Sequence, residues 1–270
     1  MRYALVIALA AVAPLLACAA PTESADSLLA KMPPVPADAQ AAYAQWTDDQ
    51  GSITYGPAVL ALRKELQDAS DASNTPPPEQ GPEVQPSQAD IAIANTIGPY
   101  ADANLARKIN DLMSQVGALD QAWLAGETKL NAERVAAFQA IKPCPEDKAG
   151  NLRPVGSLQA VTDRYADMRF ALAKTYLAKF AALQAQLVAM VRPEAAHVDK
   201  IIADWNKLPN SFMKSSLYNA IKNNYAVAVS HVSEVLALET LGSRRAAQGV
   251  ADKRVVDGKL KVATPCTWIP

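Results

Sequence analysis

From Leu105, the apolar positions Ile109, Leu112, Val116, Leu119 and Trp123 return every four or three residues. That spacing keeps one stripe of a helix turned toward a neighbour. The phase runs on through Gly126 to Leu130, Ala137 and Ile141. It predicts either one helix over roughly residues 99–142, about 60 Å long at ~1.5 Å per residue, or two helices broken near Gly126. Pro143, Pro145 and Pro154 close this segment. A second seam then runs from Leu158 through Tyr165, Leu172, Phe180 and Leu187 to Met190, and Leu177, Ala181 and Val188 widen it, as in a helix touching more than one neighbour. Pro193 is expected to kink or restart the chain, with a further helix to about Leu208 and a turn at Pro209-Asn210. A third seam, Leu217, Ile221, Tyr225, Ala228, Val232 and Val235, predicts a last helix from about Ser211 to Leu241, weakened beyond that by Gly242 and Gly249.

The pattern is poorer toward the N-terminus. Short helices are predicted over Ala37 to Asp49 and Pro57 to Asp68, neither long enough to be stable alone. Residues 70–87 carry five prolines and almost no apolar groups, which reads as a linker or long exposed loop. Ser87 and Asp90 have the spacing of a helix cap, and Gly98-Pro99 ends or kinks the helix they start. Near the C-terminus Lys259 to Val262 alternates like a short strand without an evident partner. The expected organisation is a leader over 1–17, an arm over 18–69, a linker over 70–87, a bundle over 88–249 and a tail over 250–270. The fold class is all-α, an antiparallel bundle of about four principal helices.

Composition agrees with this class. Half of the 270 residues are apolar, aromatics make up 6%, and glycine is scarce at 11, which favours helices packed through small side chains. The formal charge of −1 leaves no electrostatic footprint for nucleic acid. The charge is unevenly spread: residues 18–98 hold three basic and eleven acidic side chains, and residues 242–270 hold six and two. An acidic arm and a basic tail are solvated surfaces, partners of one another, or, for the tail, a contact for anionic lipid or protein.

Arg2, the apolar run from Ala4 to Leu16 and the small residues after it form a signal-peptide pattern, too short to span a bilayer. Its end, Leu15-Leu16-Ala17-Cys18, resembles the lipobox of bacterial lipoproteins, although Leu16 is bulkier than the usual residue there. The resemblance implies acylation of Cys18 and, with Ala19 behind it, sorting to an outer membrane facing the periplasm. Ala17-Cys18-Ala19 also fits ordinary cleavage, which would leave a soluble periplasmic chain. Cys144 and Cys266 are then an even pair in an oxidising compartment, which reads as a disulfide tying the tail to an interhelical turn.

Both histidines sit three residues from a glutamate, in Glu194-Ala195-Ala196-His197 and His231-Val232-Ser233-Glu234. One such element resembles the di-iron carboxylate bundles, which need two of them plus two further glutamates on facing helices. A turn at Pro209 would offset His197 from His231 by about 13 Å along the hairpin, at ~1.5 Å per residue. The expected arrangement is therefore a solvated Glu194/His197 pair on one helix and a polar interruption of the seam at His231 and Glu234, with metal binding by the four as the alternative. His231 to Glu234 also resembles the tail of the G-x-H-x-x-E motif of imelysin-like envelope proteins, with Val229 in the glycine position and the match confined to four residues.

Ser211-Phe212-Met213-Lys214 has the S-x-x-K spacing of penicillin-binding proteins, but their S-D-N and K-T-G elements are missing, so Ser211 is expected to cap a helix. The sequence holds no G-x-S-x-G, P-loop, G-x-G-x-x-G or C-x-x-C-H motif. No cofactor and no enzymatic activity are expected. The reading that remains is a lipid-anchored envelope protein that binds another envelope or secreted protein, as an inhibitor or immunity factor, a chaperone or an assembly subunit. The alternatives are a periplasmic carrier with a small-ligand or metal pocket between helices and, last, a hydrolase with an unfamiliar site.

Overall fold

The computed structural model describes residues 23–36, 38–46, 56–73, 82–140 and 156–256. Among these, all regular structure is helical: α1 (Ala25–Ala30), α2 (Ala39–Trp46), α3 (Pro57–Ala72), α4 (Gln88–Ala94), α5 (Leu105–Gln139), α6 (Gly156–Lys207) and α7 (Phe212–Val256). The leader, all three cysteines and Lys259 to Val262 lie outside the described residues.

α6 and α7 form an antiparallel hairpin about a turn at residues 208–211. α5 runs antiparallel to α6: the Gly98 carbonyl, just ahead of α5, meets His197, while further along Trp123 stands edge-on to Tyr176 with ring centroids 5.5 Å apart. α5 and α7 therefore run the same way, and Arg245 Nε donates to Asp120 Oδ1 (3.0 Å) between them.

Neither the expected restart at Pro193 nor the expected weakening beyond Leu241 interrupts these helices. Pro193 lies inside α6 without ending it. Proline removes one backbone hydrogen bond, but Pro193 is exposed while Val191, Ala195 and Val198 around it are buried, so packing holds the helix through it. Nor does α7 weaken at Gly242 and Gly249. A Cβ at Gly242 would fall 2.8 Å from Phe180 Cβ, and one at Gly249 would fall 2.6 Å from Ala173 Cβ. These glycines let α6 and α7 approach closely, and the tight packing of the two helices outweighs the poor helix propensity of glycine. Gly126 likewise leaves α5 as one helix, its absent Cβ accommodating Leu172.

The arm is the larger correction. Short α1, which the sequence pattern does not suggest, buries Ala25, Leu28 and Leu29; α2 buries Ala39 and Ala42; α3 buries Val59, Leu62, Leu66 and Ala69. All belong to the same core cluster as the inner faces of α5, α6 and α7. The arm is therefore an integral part of the core, because the long helices alone leave an apolar face that only these small helices cover. Polar contacts fix its path. Asp199 on α6 accepts the N–H groups of Ala25 (2.8 Å) and Asp26 (2.9 Å), and Ser24 caps α1 by accepting from Ser27 N–H. Tyr225 on α7 donates its hydroxyl to the Glu23 carbonyl (2.8 Å). Buried Gln184 accepts from Val35 N–H (2.7 Å) and donates to the Pro33 carbonyl (2.9 Å), so both of its amide groups are satisfied.

The expected linker begins late, since α3 runs to Ala72 and Ser73 is buried. Its last residues lie on the α6–α7 turn: Val84 N–H donates to the Asn210 carbonyl (2.8 Å), and Phe212 N–H donates to Glu83 Oε1 (3.4 Å). Ser87 and Asp90 then form the expected capping box of α4.

Candidate functional site

The predicted Glu194/His197 pair does not form. Glu194 is buried, and its Oε2 lies 2.6 Å from His231 Nδ1 across the α6–α7 interface. His197, one turn on, places Nε2 3.1 Å from the Gly98 carbonyl and its ring against Tyr100, with centroids 5.8 Å apart. Asn224 Nδ2 reaches the same carbonyl at 3.4 Å. The seven-residue step from 224 to 231 is two turns of α7, which separates the surroundings of the two histidines along the hairpin axis. The expected pair is absent because each side chain is engaged elsewhere, Glu194 by His231 and His197 by the Gly98 carbonyl. Glu234 is half-buried and takes no part in the Glu194–His231 contact. Among the described residues no three His, Cys, Asp or Glu side chains converge as a metal site.

What the arrangement does chemically is join helices. His231 and Glu194 pair α7 with α6, with side chains only 14% and 8% exposed, so the contact is little screened by water. Ser211 is a cap, as its sequence position suggests: its hydroxyl accepts from Lys214 N–H (3.2 Å) at the start of α7. Lys214 in turn donates Nζ to the Leu208 carbonyl (2.7 Å) and the Asn206 carbonyl (3.4 Å), orphan acceptors at the end of α6. Its ammonium lies 4.9 Å from the Trp205 ring centroid, and burial lowers its pKa from the ordinary lysine value.

A cleft of about 590 Å³ lies between α3, α5 and α7. Leu66, Val116, Leu236 and Leu238 are buried in its floor, and Met113 and Leu241 are half-buried on its walls. Arg63, Gln67, Ser70 and Ala237 are exposed at its lip. The cleft exists because α3 leans on α7 without filling the space between α7 and α5. One turn beyond Val116 and Leu241, Asp120 and Arg245 join α5 to α7. Sequence periodicity marks Val116 as a seam residue but assigns no gap to any trio of helices, and it leaves α3 peripheral. Two further buried polar groups interrupt otherwise apolar stripes, and for that reason periodicity passes over them: Gln184, and Glu239, which accepts from Ser243 Oγ at 2.6 Å.

No described helix is long and apolar enough to cross a membrane. No family model matches the chain, and neither a curated protein nor a solved structure matches it.

Proposed function

We propose that the chain is exported, held at the bacterial envelope by a lipid on Cys18, and works by binding another envelope or secreted protein at the cleft between α3, α5 and α7. The observation that carries this reading is the form of the cleft. A pocket for a small molecule typically buries some 70–90% of its ligand. This one is open along the lip formed by Arg63, Gln67, Ser70 and Ala237, over an apolar floor. That form suits apolar side chains projecting from a partner helix or loop, with the adaptable Met113 in the wall.

A Cys144–Cys266 disulfide belongs to the same reading. α5 and α7 run in the same direction and both end at the end of the bundle remote from the α6–α7 turn, and in sequence Cys144 follows Gln139 by five residues and Cys266 follows Val256 by ten. The bridge would fix the basic tail there.

The test is Ala237→Trp, which fills the cleft from its lip without touching the floor. Recovery of partner from solubilised envelopes should fall about tenfold or more, the scale of a blocked hot spot, with the circular dichroism spectrum unchanged. Undiminished recovery would remove the cleft from the binding surface. A cleft that instead yields a tightly held small molecule on denaturation of the purified protein would favour the carrier reading.

A further inference from the structure

Beside the α6–α7 turn lie two of the most exposed apolar side chains among the described residues, Phe212 at the start of α7 at 78% and Val84 ahead of α4 at 50%. They share one patch, because the Val84–Asn210 and Phe212–Glu83 hydrogen bonds lay residues 83–84 against residues 210–212. Single exposed apolar residues are ordinary, so exposure alone says little. Their position relative to the start of the fold says more. Glu23 and Ala25 are fastened to Tyr225 and Asp199, and Asp199 lies eight residues before the end of α6, about 12 Å from it at ~1.5 Å per residue. Glu23 follows Cys18 by five residue steps, a reach of at most about 18 Å at ~3.6 Å each. A lipid on Cys18 can therefore come level with the turn. The opposite end of α6, at Gly156, is 43 residues from Asp199, or about 65 Å, beyond any reach of that tether.

We infer that the α6–α7 turn is a membrane-contacting foot: Phe212 and Val84 enter the bilayer interface beside the acyl anchor, and the bundle stands on this end. The inference rests on the lipid-anchor reading. Lys200 and Lys207, with Nζ groups on Asp204 and side chains 66% and 64% exposed, flank the turn. With Lys214 at the same turn, three lysines face the two carboxylates Glu83 and Asp204, so net charge does not exclude the patch from an anionic bilayer. One consequence is that the cleft lip, more than 20 residues along α7 from Phe212, is held about 30 Å or more above the lipid, open to a partner.

The test uses the full acylated chain in liposomes of phosphatidylethanolamine and phosphatidylglycerol. An environment-sensitive fluorophore is attached in Phe212→Cys, with Val84→Cys as a second reporter and Val135→Cys on α5 as the remote control, each against labelled wild type. Fluorescence at 212 and 84 should rise several-fold with a blue shift on flotation and be quenched by doxyl lipids, while 135 stays unchanged. A chain that floats with both turn probes still in water overturns the foot and leaves the anchor standing. A chain that does not float overturns the anchor, and the foot with it. Probes dark on liposomes but shielded in native membranes would assign the turn to a partner protein and also overturn the inference.

Discussion

Asp199 receives Ala25 from 174 residues away: one carboxylate oxygen takes the Ala25 N–H at 2.8 Å and the other takes Asp26 at 2.9 Å. An α-helix begins with N–H groups that have no partner within the helix, and here a side chain of another helix supplies the acceptor. Asp199→Ala should cost about 1–2 kcal/mol, the range for a lost cap or charge-assisted hydrogen bond. Urea unfolding measures it, and protease cleavage within α1 should quicken alongside.

Glycine substitutions should split by sign. A Cβ at Gly249 meets Ala173 Cβ at 2.6 Å, whereas one at Gly117, exposed on α5, meets nothing within 4 Å. Gly117→Ala should stabilise by roughly 0.5–1 kcal/mol through helix propensity. Gly249→Ala should destabilise despite the same propensity advantage, since overpacking a tight contact costs about 1–3 kcal/mol. Thermal melts of the two variants, moving in opposite directions, check both.

Tyr225 links stability to alkaline pH. Burial, and then the nearby carboxylates of Asp199 and Glu23, push its phenol up from 10.0 to about 12. The folded chain thus holds this proton more tightly than the unfolded one. The contribution is fully present below pH 10 and is lost as pH rises toward about 12. Tyr225→Phe should flatten that decline while losing the hydrogen bond to Glu23 at every pH. Denaturant midpoints across pH 8–12 resolve the two effects.

The cysteines give the compartment test. Cys18→Ala should move the protein from the membrane to the periplasmic fraction, and mature wild-type protein should show no thiol open to alkylation without reductant. Wild type already soluble in the periplasm refutes the lipid, and two alkylated cysteines per chain refute the bridge.

Much of the helical body is legible from periodicity. The seam of α7 from Ile221 to Val235 is buried as its spacing implies, and so are Leu105, Ile109, Leu112, Val116 and Trp123 on α5. On α6 the buried stripe passes through Gln184, which a rule counting apolar residues skips. The arm escapes periodicity for a related reason. α1 is six residues long, too short to show a period, and its stability comes from Asp199, Tyr225 and the α6 surface, none of which is near it in sequence. By composition alone, residues 88 onward look self-sufficient. The packing predicts otherwise: a chain beginning at Ser87 should bare the face covered by Leu28, Val59, Leu62 and Leu66 and lose cooperative unfolding by circular dichroism. The site is the hardest to foresee, because Glu194 and His231 differ by 37 positions and meet only through the hairpin.

The attachment of α1 to Asp199 and Tyr225 also inverts the order of events during biosynthesis. The arm is made first, yet its docking surface is completed only when residues near 225 have emerged, some 200 positions later. At about 5–20 residues per second the arm waits ten seconds or more for its partners, long after any local helix has had time to form and melt. The α6–α7 hairpin needs only a four-residue turn and can close at once. The arm, translated before the bundle it packs on, is thus the last to find its place.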